Sequence, residues 1–170
     1  MALKKQWRRE LTPPEKRMDL KQLQESWDSA EAALVEELIP VLAQVVERLE
    51  KDLRGILDSE SYSELKDLKI GYRDKLVGIF KQHAFEAYKM GKLGVFKEFD
   101  IKKDFVMPAL ARAQMSAKAE AMVDDLLSKI KTTAVFTVLT GVQAKKTTDQ
   151  IINDVKGPAF KGQQAEKVKT

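Results

Sequence analysis

His83 is the one histidine of a chain that has no cysteine, so acid–base or metal chemistry must gather around it or be built from carboxylates alone. It falls between Phe80 and Ala87, on or beside the apolar face of a predicted helix. A catalytic or ligating role needs converging partners, and Glu86 is only an ordinary helical neighbour. A packed or surface histidine is therefore expected. The carboxylate pairs Asp28/Glu31 and Glu36/Glu37 supply density, but acid–base work requires two groups in converging, unequal environments; they read as solvated helix faces. Gly91-Lys92-Leu93-Gly94 lacks the spacing and the preceding strand of a phosphate-cradling loop, and no serine nucleophile motif is present. The absence of cysteine excludes disulfides, thiolate zinc sites and cysteine nucleophiles. The expectation is a binding protein and not an enzyme, with no catalytic residue, metal, cofactor or small-molecule substrate.

Binding chemistry is concentrated at the two ends. An N-terminal arm carries Lys4, Lys5, Arg8 and Arg9 around Trp7, and the tail carries Lys156, Lys161, Lys167 and Lys169. Such groups neutralise phosphates without sequence preference. A tryptophan flanked by arginines is equally suited to anchoring in a pocket of a protein partner. For the arm, a protein anchor at Trp7, Arg8 and Arg9, a nucleic-acid contact and a disordered arm all stay open. Charge is unevenly spread: residues 1–17 hold six basic and two acidic groups, 18–60 four and eleven, 61–103 ten and six, and 104–170 ten and seven. The acidic first long segment should lie against basic segments of its own chain or meet a basic partner.

These groups must be held by helices. The chain is 44% hydrophobic and 33% charged with eight glycines and five prolines among 170 residues, a composition suited to amphipathic helices. After a cap signal at Thr12-Pro13-Pro14-Glu15 and another at Asp19/Gln22, apolar residues recur every three or four positions at Leu20, Leu23, Trp27, Ala30, Leu34, Leu38, Leu42, Val45, Leu49, Leu53 and Ile56. One long helix with a kink at Pro40 is expected. Ser61 and Glu64 form a capping box before a second stripe of Leu65, Leu68, Tyr72, Leu76, Phe80, Ala84, Ala87 and Met90, with Gly91 and Gly94 ending it. Residues 95–107 read as a connection packed through phenylalanines. A third stripe follows Pro108 through Met115, Ala119, Met122, Leu126, Ile130, Ala134 and Val138 to an end near Gly141. Its last part, residues 134–139, is β-branched, but the unbroken period favours helix. Thr147 and Gln150 cap a short helix that Gly157-Pro158 should stop.

The resulting expectation is an all-α protein: an elongated bundle or hairpin of three long helices with a short C-terminal helix and flexible basic termini. A basic arm with a short helical turn occupies 1–18, a helical domain 19–155 and a flexible basic tail 156–170. No signal peptide is evident, because no apolar stretch follows the basic start. Thr132–Val142 is the longest weakly polar run and is too short to span a bilayer.

The block Trp7-Arg8-Arg9-Glu10-Leu11-Thr12-Pro13-Pro14-Glu15-Lys16-Arg17, followed by Asp19-Leu20 and an acidic helix with Asp28, Ala30, Glu31 and Leu38, resembles the opening of a long helix in tailed-phage portal-associated minor head proteins. Met18 stands where that pattern has a branched apolar residue. Residues 115–154 are similar to the helical part of the phage head-morphogenesis family, although the polar, histidine-containing motifs of many members have no counterpart. The resemblance implies a structural virion protein inside the head near the portal, present in the host cytoplasm during assembly. It further implies contact with portal or other capsid protein, with copies of itself and non-specifically with DNA, in head assembly or genome packaging and ejection. A cytosolic helical adaptor or non-specific nucleic-acid-associated protein is the alternative that the residues leave open.

Overall fold

The computed structural model describes the backbone of residues 20–98 and 101–167, and side chains over 24–96 and 101–157. Four α-helices and one 3₁₀ helix make up the described chain: α1 (Leu20–Asp58), a 3₁₀ helix (Tyr62–Asp67), α2 (Arg73–Glu98), α3 (Ala109–Gln143) and α4 (Thr148–Lys167). There is no strand among the described residues. The protein is an all-α helical bundle, and the β-branched 134–139 stretch is helical within α3.

Packing divides the chain into two compact units, one comprising Met1–Leu38 with Val77–Glu120 and the other Ile39–Leu76 with Ala121–Thr170. The residues expected to form one helical domain, 19–155, are distributed over both. Helix α1 is continuous through Pro40, which has no N–H to offer the carbonyl one turn back.

The second unit holds a well-formed core. Leu49, Leu53, Ile56 and Leu57 of α1, Leu65 and Leu68, Ala134 and Val138 of α3, and Ile151 and Ile152 of α4 form one buried cluster. The Ser61/Glu64 signal starts the 3₁₀ helix instead of α2, and Ser61 makes no side-chain cap bond. Leu65 lies in the 3₁₀ helix and Leu68 directly after it, with the Leu68 N–H donating to Leu65 O at 3.3 Å, and both reach the core. Helix α2 begins only after Tyr72, which takes φ 65° while its carbonyl accepts from the Leu76 N–H at 3.0 Å.

Helix ends depart from the glycine rule. The N–H of Glu60 donates to Leu57 O at 3.2 Å and that of Ser61 to Ile56 O at 3.0 Å; Lys145 donates to Val142 O and Lys146 to Gly141 O, both at 3.0 Å. These paired bonds are the Schellman pattern, with Glu60 (φ 53°) and Lys145 (φ 54°) in the left-handed position. Gly91 and Gly94 do not end α2, since no described glycine has a positive φ and the helix continues to Glu98. Gly141 lies inside α3, where a Cβ would sit 2.5 Å from Ile151 Cγ1; its role is close approach of α3 and α4. The Thr147/Gln150 box is formed: Thr147 N–H donates to Gln150 Oε1 at 3.0 Å, and Gln150 N–H to Thr147 Oγ1 at 3.3 Å. Helix α4 runs through Gly157-Pro158 to Lys167, past the expected stop. Proline there removes a single backbone donor without breaking the run.

Candidate protein-interaction surfaces

The first unit is built differently. Of the seventeen core residues of the described chain, only Val77 and Ala119 belong to it, whereas Trp27, Val35, Met90, Leu93, Val95, Ile101, Val106 and Leu110 of this unit are exposed. Trp27, placed by its spacing on the inner stripe of α1, is 46% exposed, and Val106 and Leu110 reach 79% and 70%. Isolated exposed apolar residues are ordinary, whereas contiguous patches mark interaction sites; in the second unit Ile39, Tyr72, Met122, Phe136 and Leu139 are exposed as well.

One part of that surface is concave. Phe85, Glu86 and Lys89 of α2, Phe105, Val106 and Met107 of the connection, and Arg112 of α3 line an open cleft of about 360 Å³. The α2 spacing puts Phe85 and Lys89 one turn apart on the same face. The connection is held there by Phe105, whose ring centroid is 6.1 Å from that of Tyr88. Arg112 lies over the Phe85 ring at 5.8 Å and Lys92 over Tyr88 at 5.7 Å, positions in which aromatic faces attract cations. Lys81 of α2 reaches Glu120 of α3 at 2.6 Å. The sequence announced the phenylalanines but not Val106 and Leu110, which flank Pro108 and join no stripe.

A larger open groove of about 820 Å³ lies in the second unit between α1 and the segment leading to α2, lined among others by Arg48, Lys51, Asp52, Glu64, Asp67 and Tyr72. Its charges alternate in sign, and Arg48 is already paired with Asp52 at 3.2 Å.

His83 is packed, as expected. Its side chain is 10% exposed, and Nε2 lies 3.4 Å from Glu37 Oε2 without a hydrogen bond. Of the other nominated carboxylates, Asp28 accepts from Gln24 at 2.7 Å one turn away. No group of three or more His, Cys, Asp or Glu among the described residues could hold a metal ion. No described helix is long and apolar enough to cross a membrane.

The arm residues Lys4, Lys5, Trp7, Arg8 and Arg9 lie outside the described residues, as does Lys169; Lys161 and Lys167 fall in α4, with side chains outside the description. Lys156 is committed within the second unit, where its ammonium pairs with Glu50. Arg54 joins the same network, 3.1 Å from Glu50 and 2.7 Å from Asp149. The Lys156 hydrogen bond, helped by Arg54 and opposed by partial burial, holds the Glu50 carboxyl below its ordinary range. Arg73 grips Asp124 through two nitrogens at 2.6 and 2.9 Å, which likewise lowers the Asp124 carboxyl. These pairs fasten helices together. No family model, curated protein or solved structure matches the chain.

Proposed function

We propose that this chain is a structural assembly protein, a minor head protein of a tailed-phage virion that docks on the portal or another capsid protein close to packaged DNA. Its work is head assembly or genome packaging and ejection. The observation that supports a binding role is the first unit, in which few of the described side chains are buried and several large apolar ones are exposed. Such a surface gains from association what it lacks in self-packing. The basic arm supports the identity of the partner, through the resemblance of residues 7–17 to portal-associated proteins.

In this reading Trp7 inserts into the partner while Arg8 and Arg9 rim the pocket, and the end lysines contact DNA without sequence preference. The test is binding to a portal protein encoded near this gene. Trp7→Ala should weaken it by about 2 kcal/mol, roughly thirtyfold, with helix content by circular dichroism unchanged. Loss of helicity in that variant, or portal binding indifferent to it, would refute the anchor.

A further inference from the structure

Two exposed surfaces of the first unit have opposite charge and matching apolar character. Residues 22–47 contain no lysine or arginine and six carboxylates: Glu25, Asp28, Glu31, Glu36, Glu37 and Glu47. On α1, Trp27, Glu31 and Val35 follow at four-residue steps, so they fall within an arc of about 80°. Trp27 and Val35 are 46% and 47% exposed. Glu31 is exposed as well and forms no ion pair among the described residues. The stripe therefore presents an indole, a carboxylate and a branched aliphatic group together.

The cleft between α2, the connection and α3 is its complement. Phe85, Phe105, Val106 and Met107 supply apolar walls, and Lys89 and Arg112 stand at its rim with one carboxylate, Glu86. On the connection Lys102 and Lys103 balance Asp100 and Asp104, so the positive excess at the cleft comes from Lys89 and Arg112 against Glu86. Arg112, over the Phe85 ring, can take an indole on its other face and still reach a carboxylate.

We propose that the Trp27–Glu31–Val35 stripe of one copy docks in the Phe85/Phe105/Val106 cleft of a second copy, with Glu31 meeting Arg112. Within one chain the stripe is exposed, so its own cleft does not cover it. Because the two patches differ, the contact is head-to-tail and propagates, closing into a ring or extending as a filament. This deepens the assembly reading above and rests on its claim that the exposed apolar residues of the first unit serve association, but not on the portal as partner. Opposite fields make the association depend on salt.

The experiment is sedimentation velocity of the full chain at low and high salt, together with Glu31→Lys, Arg112→Glu, the double variant and an equimolar mixture of the two single variants. All the altered side chains are exposed, so helicity should be kept. The wild-type chain should associate with rising concentration, less so at high salt. Each single variant should raise the dissociation constant at least about tenfold, since its own contacts set like charges together. The double variant and the mixture should both recover, because every contact in them again pairs opposite charges. A wild-type chain monomeric to about 100 μM at low salt, single variants that associate normally, or a mixture that fails to recover would each overturn the assignment. Portal affinity measured on the same samples separates the two ideas: portal-binding monomers would sink the self-docking alone, and self-associating chains without portal affinity would sink the portal reading alone.

Discussion

Replacing Gly141 by alanine should destabilise the protein even though alanine is the better helix former. A Cβ at Gly141 would lie 2.5 Å from Ile151 Cγ1 and 3.1 Å from its Cδ1, both far inside ordinary contact. Ile151 is 1% exposed in the core of the second unit, so it has little room to retreat. Overpacking of this kind costs about 1–3 kcal/mol, and the gain in helix propensity offsets about 1 kcal/mol. The net loss expected is up to about 2 kcal/mol, read as a shift in the urea midpoint of the circular dichroism signal at constant slope. Ile151→Ala leaves only a Cβ at 3.5 Å from the new methyl, and alone costs about 2–5 kcal/mol. On that background Gly141→Ala should become stabilising, by about 0.5–1 kcal/mol. The change of sign isolates the clash from every propensity effect. If Gly141→Ala has the same effect on both backgrounds, the close approach of α3 to α4 is not what selects glycine.

The Schellman turn at the end of α3 places Lys145 at φ 54°, so Lys145→Gly should raise the urea midpoint, by about 1 kcal/mol in stability; an unchanged or lower midpoint would contradict the turn. The folded-state pKa of Glu50 is depressed below its ordinary value of 4.5, so its pairing with Lys156 and Arg54 stabilises the fold above that pH. That contribution is lost as the pH falls through the lowered value. Glu50→Gln should therefore flatten stability against pH below about 4.5, and an unaltered acid limb would show that the network contributes nothing measurable.

Periodicity made the helices legible, because an apolar residue every three or four positions is the direct consequence of burying one face. The second unit followed its stripes closely, with Val45, Leu49, Leu53 and Ile56 buried as the spacing required. Along α3, Ala119, Ala134 and Val138 are buried as the stripe required, but between them Val123 and Leu127 are buried where Met122 and Leu126 were expected. Both rows are apolar, so the period alone does not choose between them. Boundaries were harder. Glycine is permissive and does not compel a left-handed turn, so Gly91 and Gly94 were read as ends although both sit inside a helix, whereas α3 does end close to Gly141, at Gln143. The true ends at Glu60 and Lys145 use residues that give no such signal. Thr147 and Gln150 were read correctly because a capping box specifies two reciprocal bonds and not a tendency.

The proposed binding surface was legible only as spare apolar character. Trp27 sits in the same period as Leu49 and Leu53, and nothing local distinguishes a stripe that packs inward from one that waits for a partner. Phe105 and Arg112, though close in sequence, meet Phe85 and Lys89 only because the connection folds back on α2. Tertiary placement of that kind lies beyond spacing. The charge contrast was visible from the outset, since the acidic 18–60 segment and the basic 61–103 segment follow directly from counting.

Native mass spectrometry of the full chain mixed with a portal protein encoded near its gene tests most directly the proposal that this chain works by assembling on a portal or capsid partner. A defined complex carrying several copies of the chain on the portal ring, lost with Trp7→Ala, is the predicted result. A chain that remains monomeric and never appears on the portal at any ratio would contradict the account.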